Sequence, residues 1–205
     1  MIVVHHLEDS RSLRVLWLLE ELGLDYEVRH YKRDPVTRLG PPELRAIHPL
    51  GKSPIVVDGG EVIAETGAIV EYLVDRYGQG RLRPPPNTPE RLRYAYWLHY
   101  AEGSAMPPLL TRLVAARLGD AAKPALPYIS AQIKLHFDYV DSELARSPWF
   151  AGEELTGADI MMSFPIERAA RLAEAAAWPR LRDFVDRIRS RPAHQRAAAR
   201  GDGEE

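Results

Sequence analysis

The pattern of the chain changes at Pro84-Pro85-Pro86, and that change limits the fold more than any other feature. Upstream, short β-branched runs alternate with helical periodicity. Ile2-Val3-Val4 opens a strand. Ser12 to Leu22 carries Leu13, Leu16, Trp17, Leu19 and Leu22, too apolar a set for a solvent-facing helix. Gly23 follows as its C-cap. Tyr26 to Tyr31 alternates as a strand does. Leu39 to His48 is rich in turn residues and holds at most one short helix. Ile55-Val56-Val57 and Val62-Ile63-Ala64 flank Asp58-Gly59-Gly60 as a hairpin. Thr66 to Tyr77 is helical and Gly78 stops it. The order over residues 1–78 is β-α-β-α-β-β-α, a small α/β layer structure.

Residues 79–88 have the composition of a stiff linker. Residues 89–205 show no strand pattern and four or five helical stretches, near 89–118, 124–146, 157–172 and 178–191. The chain is expected to divide into an α/β domain over 1–78 and an all-helical domain over 89–205. Pro107-Pro108 are expected to kink the first of these helices. The seven arginines from Arg180 to Arg200 alternate with Asp183, Asp186 and apolar residues, which predicts a solvated helix face. From Ala197 onward the alanine- and glycine-rich end is expected to fray.

The 205 residues suffice for a core without disulfide or metal staples. There is no cysteine, which excludes disulfides, zinc–thiolate sites and a thiol nucleophile of the protein's own. The 27 basic and 29 acidic residues leave a net charge of −2, split as −4 over 1–78 (9 basic, 13 acidic) and +2 over the rest (18 basic, 16 acidic). Neither value argues for nucleic acid or a membrane surface. No apolar run approaches the ~20 residues of a membrane span. The N-terminus lacks a basic start followed by a long apolar region, so a cytoplasmic location is the expectation. The seven histidines form no His-Glu-x-x-His and no zinc spacing, so no metal is expected. His5 and His6 point to opposite faces of the first strand. One can approach the following turn, although a packed or solvated ring is the commoner fate.

Three short motifs can hold an anionic ligand. Ser10-Arg11-Ser12 lies between the first strand and first helix, where unpaired N–H groups and the helix dipole favour negative charge. Either serine can also be a plain N-cap. In Gly51-Lys52-Ser53-Pro54 a proline opens a buried strand, which an edge strand or a cis Ser53–Pro54 bond would explain. The cis form turns the Ser53 backbone toward a ligand, with Lys52 as a cation for a carboxylate. In Glu65-Thr66-Gly67-Ala68 the Thr66 hydroxyl and a helix N-terminal N–H suit a carboxylate, and Glu65 suits an ammonium group. Capping is again the alternative. Thr156-Gly157-Ala158-Asp159 is a capping box with Leu155 and Ile160 as its staple, and its role is structural.

Taken in order, these segments strongly resemble the glutathione S-transferase family. The resemblance rests on His6 to Val28 (with Ser10 to Gly23 inside it), Pro49 to Pro54, Glu65 to Leu73, Tyr96 to Glu102 and Thr156 to Asp159, and it spans residues 1 to about 192. It lies nearest the serine-type bacterial and fungal enzymes. It implies a thioredoxin-like domain that binds glutathione, followed by a C-terminal helical bundle with an apolar second-substrate site. It also implies a homodimer, a detoxifying role and no metal. By position, Ser10 matches the serine that hydrogen-bonds the glutathione sulfur. Ser53, before a cis Pro54, matches the backbone contact to the cysteinyl part. Lys52 matches a contact to the glycine carboxylate, and Glu65 and Thr66 the γ-glutamyl grip. Ser104, Met106 and Leu110 match the second-substrate cleft, with Leu109 beside them. Ser53 stands where an apolar residue is common, a change that a backbone contact survives.

The implied chemistry follows from thiol acidity. A thiol near pKa 8.5 is mostly protonated at neutral pH, and its thiolate is the nucleophile. The Ser10 hydroxyl and a helix N-terminus are expected to favour the thiolate by about one or two pH units. The thiolate then attacks a hydrophobic electrophile, or a peroxide oxygen in a peroxidase. The competing classes are a non-catalytic binding or dimerisation module and a glutathione-dependent isomerase. Retention of Ser10, Glu65 and Thr66 favours an enzyme, since fold alone establishes no chemistry.

Overall fold

The structure is a computed structural model that describes residues 1–203. It falls into two compact units. One comprises Met1–Arg81 together with the chain from Arg189 onward, and the other is Leu82–Ile188.

The first unit is built on a four-stranded sheet in the order β2-β1-β3-β4. β1 (Ile2–Leu7) pairs in parallel with β2 (Tyr26–Tyr31) and antiparallel with β3 (Ile55–Asp58), which pairs antiparallel with β4 (Glu61–Ala64). The parallel pair needs a crossover, and α1 (Ser12–Leu22) supplies it. β1 is central and has five of its six residues buried, the burial of a strand covered on both faces, although two of those residues are histidines. α1 buries Val15, Leu16, Trp17, Leu18 and Leu19. It ends at Gly23, whose φ of +69° is the left-handed cap that glycine adopts most easily. α2 (Glu43–Ile47) is the short helix expected in the turn-rich segment, and α3 (Thr66–Tyr77) follows β4.

The end of the chain differs from expectation. The tail forms α9 (Pro192–Asp202), an ordered helix packed against α1. The solvated face expected of the arginine-rich stretch is present upstream, where Arg182, Asp183, Asp186 and Arg189 are exposed opposite buried Leu181, Phe184 and Ile188, whereas the arginines at the tail helix are engaged in ion pairs. Arg191 pairs with Glu21, and Arg196 and Arg200 pair with Glu20. Arg200 also lies 3.8 Å from the centre of the Tyr26 ring. Alanines supply the apolar side, with Ala193 and Ala197 buried. Small residues let two helices approach closely, and an alanine-rich sequence gives little apolar periodicity to detect. The expected frayed end was therefore wrong as far as Gly203; Glu204 and Glu205 lie outside the described residues.

The second unit contains α4 (Pro89–Tyr100), α5 (Met106–Leu118), α6 (Leu126–Leu144), α7 (Gly157–Ala169) and α8 (Pro179–Arg189). The single helix expected over 89–118 is interrupted by a π-helical turn, Ala101–Ala105. Pro107 and Pro108 lack N–H donors for the carbonyls of that turn, and a widened turn accommodates the loss. Trp97, Phe150 and Phe184 form the aromatic core, with ring centres 4.5 Å apart for the first pair and 5.5 Å for the second. The Thr156 capping box is present at the start of α7. Among the described residues no helix is long and apolar enough to cross a membrane.

Candidate functional site

The sheet register gathers the expected glutathione contacts along one edge. Ile55 pairs with His5 and with Ala64. The C-terminal ends of β1 and β4 therefore meet the N-terminal end of β3. Ser10 follows β1, Ser53 and Pro54 precede β3, and Glu65 and Thr66 follow β4. The N-termini of α1 and α3 begin at this same edge, so both positive helix ends serve it.

The Ser53–Pro54 bond is cis. The Ser53 hydroxyl ties the loop to the sheet, accepting from the Leu7 N–H at 3.2 Å and donating to the His5 carbonyl at 2.9 Å. This continues the β1–β3 connection one step beyond the paired backbone. The Ser53 main chain has no hydrogen-bond partner among the described residues. Polarity at position 53 therefore serves the fold and leaves the backbone open.

Glu65 has φ +69°, an uncommon conformation for a residue with a side chain. Its side chain does not cap α3, and its carboxylate is exposed. The Thr66 residue is 5% exposed. Neither side chain makes a hydrogen bond or ion pair with another described residue, so simple capping does not explain them. Lys52 is likewise exposed and unpaired among the described residues.

Ser10 is half-buried at the start of α1 and is not its N-cap; Arg11 holds that position without a side-chain cap. The Ser10 Oγ accepts the Ser12 N–H at 3.2 Å and lies 2.7 Å from the Ser12 Oγ. Ser12 is fully buried, and its hydroxyl lies 2.9 Å from His6 Nδ1. Burial and the neighbouring His30 hold the His6 pKa at about 4, so the ring is neutral at physiological pH. Sequence reasoning separated Ser10 from Ser12 but missed this connection. The available signal was a pair of histidines, His5 and His6, in an otherwise apolar central strand. His5, on the opposite face, hydrogen-bonds the Tyr31 hydroxyl at 2.9 Å.

Of the expected second-substrate residues, Ser104 lies in the π-helical turn. It lines a groove of about 250 Å³ with Gly103, Pro107, Thr111, Gln132 and His136. Met106 does not line it; at 3% exposure it belongs to the core. Leu110 is 43% exposed and lies outside the groove, and Leu109 is buried. His136 was also missed; its Nδ1 lies 2.7 Å from the Tyr100 hydroxyl.

A four-stranded sheet with a cis-proline edge, followed by a strand-free helical unit, defines a thioredoxin-like domain joined to a C-terminal helical domain. The model for the glutathione S-transferase N-terminal domain matches residues 1–75, and that for the C-terminal domain matches residues 104–192. Glutathione S-transferase 3 of Schizosaccharomyces pombe is 36% identical over 97% of this chain and 87% of its own. A glutathione S-transferase from Actinobacillus pleuropneumoniae has a structure with a TM-score of 0.90 and 40% identity, covering 100% of this chain and 94% of its own. A glutathione transferase homologue from Lodderomyces elongisporus, solved with two GSH per subunit, has a TM-score of 0.77 and 26% identity, covering 96% of each chain. The chain belongs to the glutathione S-transferase family.

Proposed function

We propose that this protein is a glutathione transferase that ionises bound glutathione for attack on a hydrophobic electrophile. Glutathione is the co-substrate, and it lies along the edge formed by β1, β3 and β4. The observation that carries the reading is the set of open groups there. The Ser53 main chain, the Glu65 carboxylate and the Thr66 hydroxyl have no partner among the described residues, although they surround a sheet edge. An extended peptide's N–H and C=O suit the Ser53 backbone. The γ-glutamyl ammonium suits Glu65, and its carboxylate suits Thr66 and the N-terminus of α3. Lys52 suits the glycine carboxylate.

Ser10 then stands at the sulfur. Its hydroxyl donates to the thiolate while the α1 N-terminus favours the negative charge, and together they lower the thiol pKa. The thiolate displaces a leaving group from carbon or adds to an activated double bond. With a peroxide it attacks oxygen and expels the alcohol.

The same reading includes a homodimer and a cytoplasmic location, which a cysteine-free composition suits. Leu92 and Tyr96 on α4 are 75% and 47% exposed, and Leu135 and Tyr139 on α6 are 62% and 37% exposed. A second copy covering these residues would remove substantial apolar surface from water.

The test is a pH titration of glutathione bound to wild type and Ser10→Ala, followed by thiolate absorbance. Ionisation below the solution pKa in wild type, lost in Ser10→Ala, supports the reading. Binding without ionisation leaves a binding module, and no binding removes the transferase assignment.

A further inference from the structure

The backbone ladder that fixes β1 stops just before the turn that carries Ser10. Leu7 pairs with Tyr31, and the Glu8 N–H donates to the Tyr31 carbonyl at 3.1 Å. Beyond that point a side chain takes up the next two carbonyls. Arg33 lies two residues past the end of β2. It donates from Nε to the Glu8 carbonyl at 3.0 Å and from Nη2 to the Asp9 carbonyl at 3.1 Å. Its Nη1 donates to the Arg38 carbonyl at 2.8 Å. Chemistry fixes the direction of all three bonds, because a guanidinium has only donors and a carbonyl oxygen only accepts.

The Asp9 carbonyl belongs to the same planar peptide unit as the Ser10 N–H. Holding its oxygen therefore orients the plane on which Ser10 is built. The Ser12 N–H, donating to the Ser10 Oγ at 3.2 Å, holds the side chain from the other side. Asp9 and Arg38 have φ of +48° and +60°, the left-handed region that residues with side chains enter at a cost. Each carries a carbonyl that Arg33 grips. The far side of the clamp is itself closed. Asp34 Oδ1 accepts the Val36 N–H at 3.0 Å and the Thr37 N–H at 2.6 Å, and the Arg38 N–H donates to the Asp34 carbonyl at 2.9 Å. Glu8 adds its carboxylate, which accepts the Arg33 backbone N–H at 3.0 Å and lies 3.8 Å from Arg38 Nη1.

We propose that Arg33 is a positioning residue for thiol ionisation: its guanidinium sets the Asp9–Ser10 peptide and so aims the Ser10 hydroxyl. The proposal rests on Ser10 as the group that meets the sulfur. Arg33 acts here through geometry rather than charge. A hydroxyl favours a thiolate only at short range and over a limited angle, so a small rotation of the peptide weakens the bond. The Ser53, Glu65 and Thr66 groups sit on the chain around β3, β4 and α3, and the three bonds of the clamp lie outside them. Loss of the clamp should therefore impair ionisation more than binding.

The experiment is a pH titration of bound glutathione, read by thiolate absorbance, in the full-length protein. The set is wild type, Arg33→Ala, Arg33→Lys, Ser10→Ala, and Ser10→Ala combined with Arg33→Lys. Lysine keeps the charge but has one nitrogen, which cannot span three carbonyls gripped by a planar fork. In both Arg33 variants the thiol pKa should rise by about one pH unit, a roughly tenfold loss of thiolate below that pKa. Glutathione affinity at mildly acid pH, where the thiol is protonated throughout, should stay within about threefold of wild type. In the Ser10→Ala background Arg33→Lys should add no further shift. A wild-type pKa in Arg33→Lys overturns the proposal, since any effect of Arg33→Ala would then be charge acting through space. Equal shifts from Arg33→Lys with and without Ser10 overturn it too. Loss of glutathione binding in Arg33→Lys also overturns it, because the clamp would then hold the whole site. If ionisation persists in Ser10→Ala itself, the Ser10 reading has failed, whatever Arg33 does.

Discussion

Arg191 lays its guanidinium fork across the carboxylate of Glu21, with Nε 2.6 Å from Oε1 and Nη2 2.8 Å from Oε2. The Trp17 indole N–H donates to the same carboxylate at 2.8 Å. The contact joins the last helix to the first across 170 residues of sequence. It is more than a surface ion pair, because the Glu21 side chain is only 11% exposed and the geometry is bidentate.

Breaking this fork should loosen α9. Glu21→Ala removes the acceptor of three hydrogen bonds, and a loss of about 2–4 kcal/mol is expected from bonds to a charged group. Arg191→Ala should cost less, since Trp17 keeps its bond to Glu21. A double-mutant cycle by denaturant unfolding should show coupling of about 1–3 kcal/mol. Additive losses would mean that the fork contributes nothing to stability.

Acid should release the same helix. Burial raises the pKa values of Glu20 and Glu21, but their bonds to Arg196 and Tyr26, and to Arg191 and Trp17, outweigh it and hold both below the ordinary 4.5. A depressed folded-state pKa gives stability that is present above the unfolded value and lost as pH falls through the folded one. The protection of the α9 amides, corrected for the slower intrinsic exchange in acid, should therefore be lost as pH falls below the ordinary carboxylate range. Exchange independent of pH-linked opening across this range would contradict the assignment.

The extent to which sequence revealed the fold depends on what carried each element. Strands β1 to β4 and helices α1 and α3 were legible because apolar periodicity and glycine stops agree there. The edge residues Ser53, Glu65 and Thr66 were legible as a set in a fixed order, although each alone looked like a cap or a turn. α9 was not legible, since its binding to α1 runs through arginines and alanines rather than an apolar stripe. Met106 was placed at the cleft by the family resemblance alone, and the structure buries it, which a residue-by-residue correspondence does not convey. The Ser12–His6 contact lay beyond sequence for a different reason: a buried histidine's partner is fixed only by tertiary approach.

Ser53 offers a direct test of how an unusual residue is tolerated. Its hydroxyl satisfies the Leu7 N–H and the His5 carbonyl together. Ser53→Val, which introduces the more common kind of side chain, should leave that N–H without its partner. The expected loss is about 1–3 kcal/mol in unfolding free energy, the cost of an unsatisfied buried donor. Glutathione affinity should change little per folded molecule, because the Ser53 main chain is unaltered. A large affinity loss with unchanged stability would place the hydroxyl on the ligand instead.

In the helical unit the most sensitive position should be Asp159. Its side chain is fully buried, accepting from the Phe150 N–H and the Thr156 N–H at 2.8 Å each and from the Thr156 hydroxyl at 2.9 Å. Burial raises its pKa to about 6 against these bonds. The folded state thus holds a proton that the unfolded chain has released, and the contribution of this group to stability declines as pH rises from about 4 to 6. Asp159→Ala should lose about 3 kcal/mol or more, because two backbone donors and a hydroxyl lose their acceptor inside the core. Asp159→Asn keeps one oxygen and cannot titrate. It should be less destabilised than the alanine variant, and its unfolding free energy should lack the decline over that pH window. Chemical denaturation of all three proteins at pH 4, 5, 6 and 7 would test the assignment, and an unchanged slope in Asp159→Asn would show that another group titrates there.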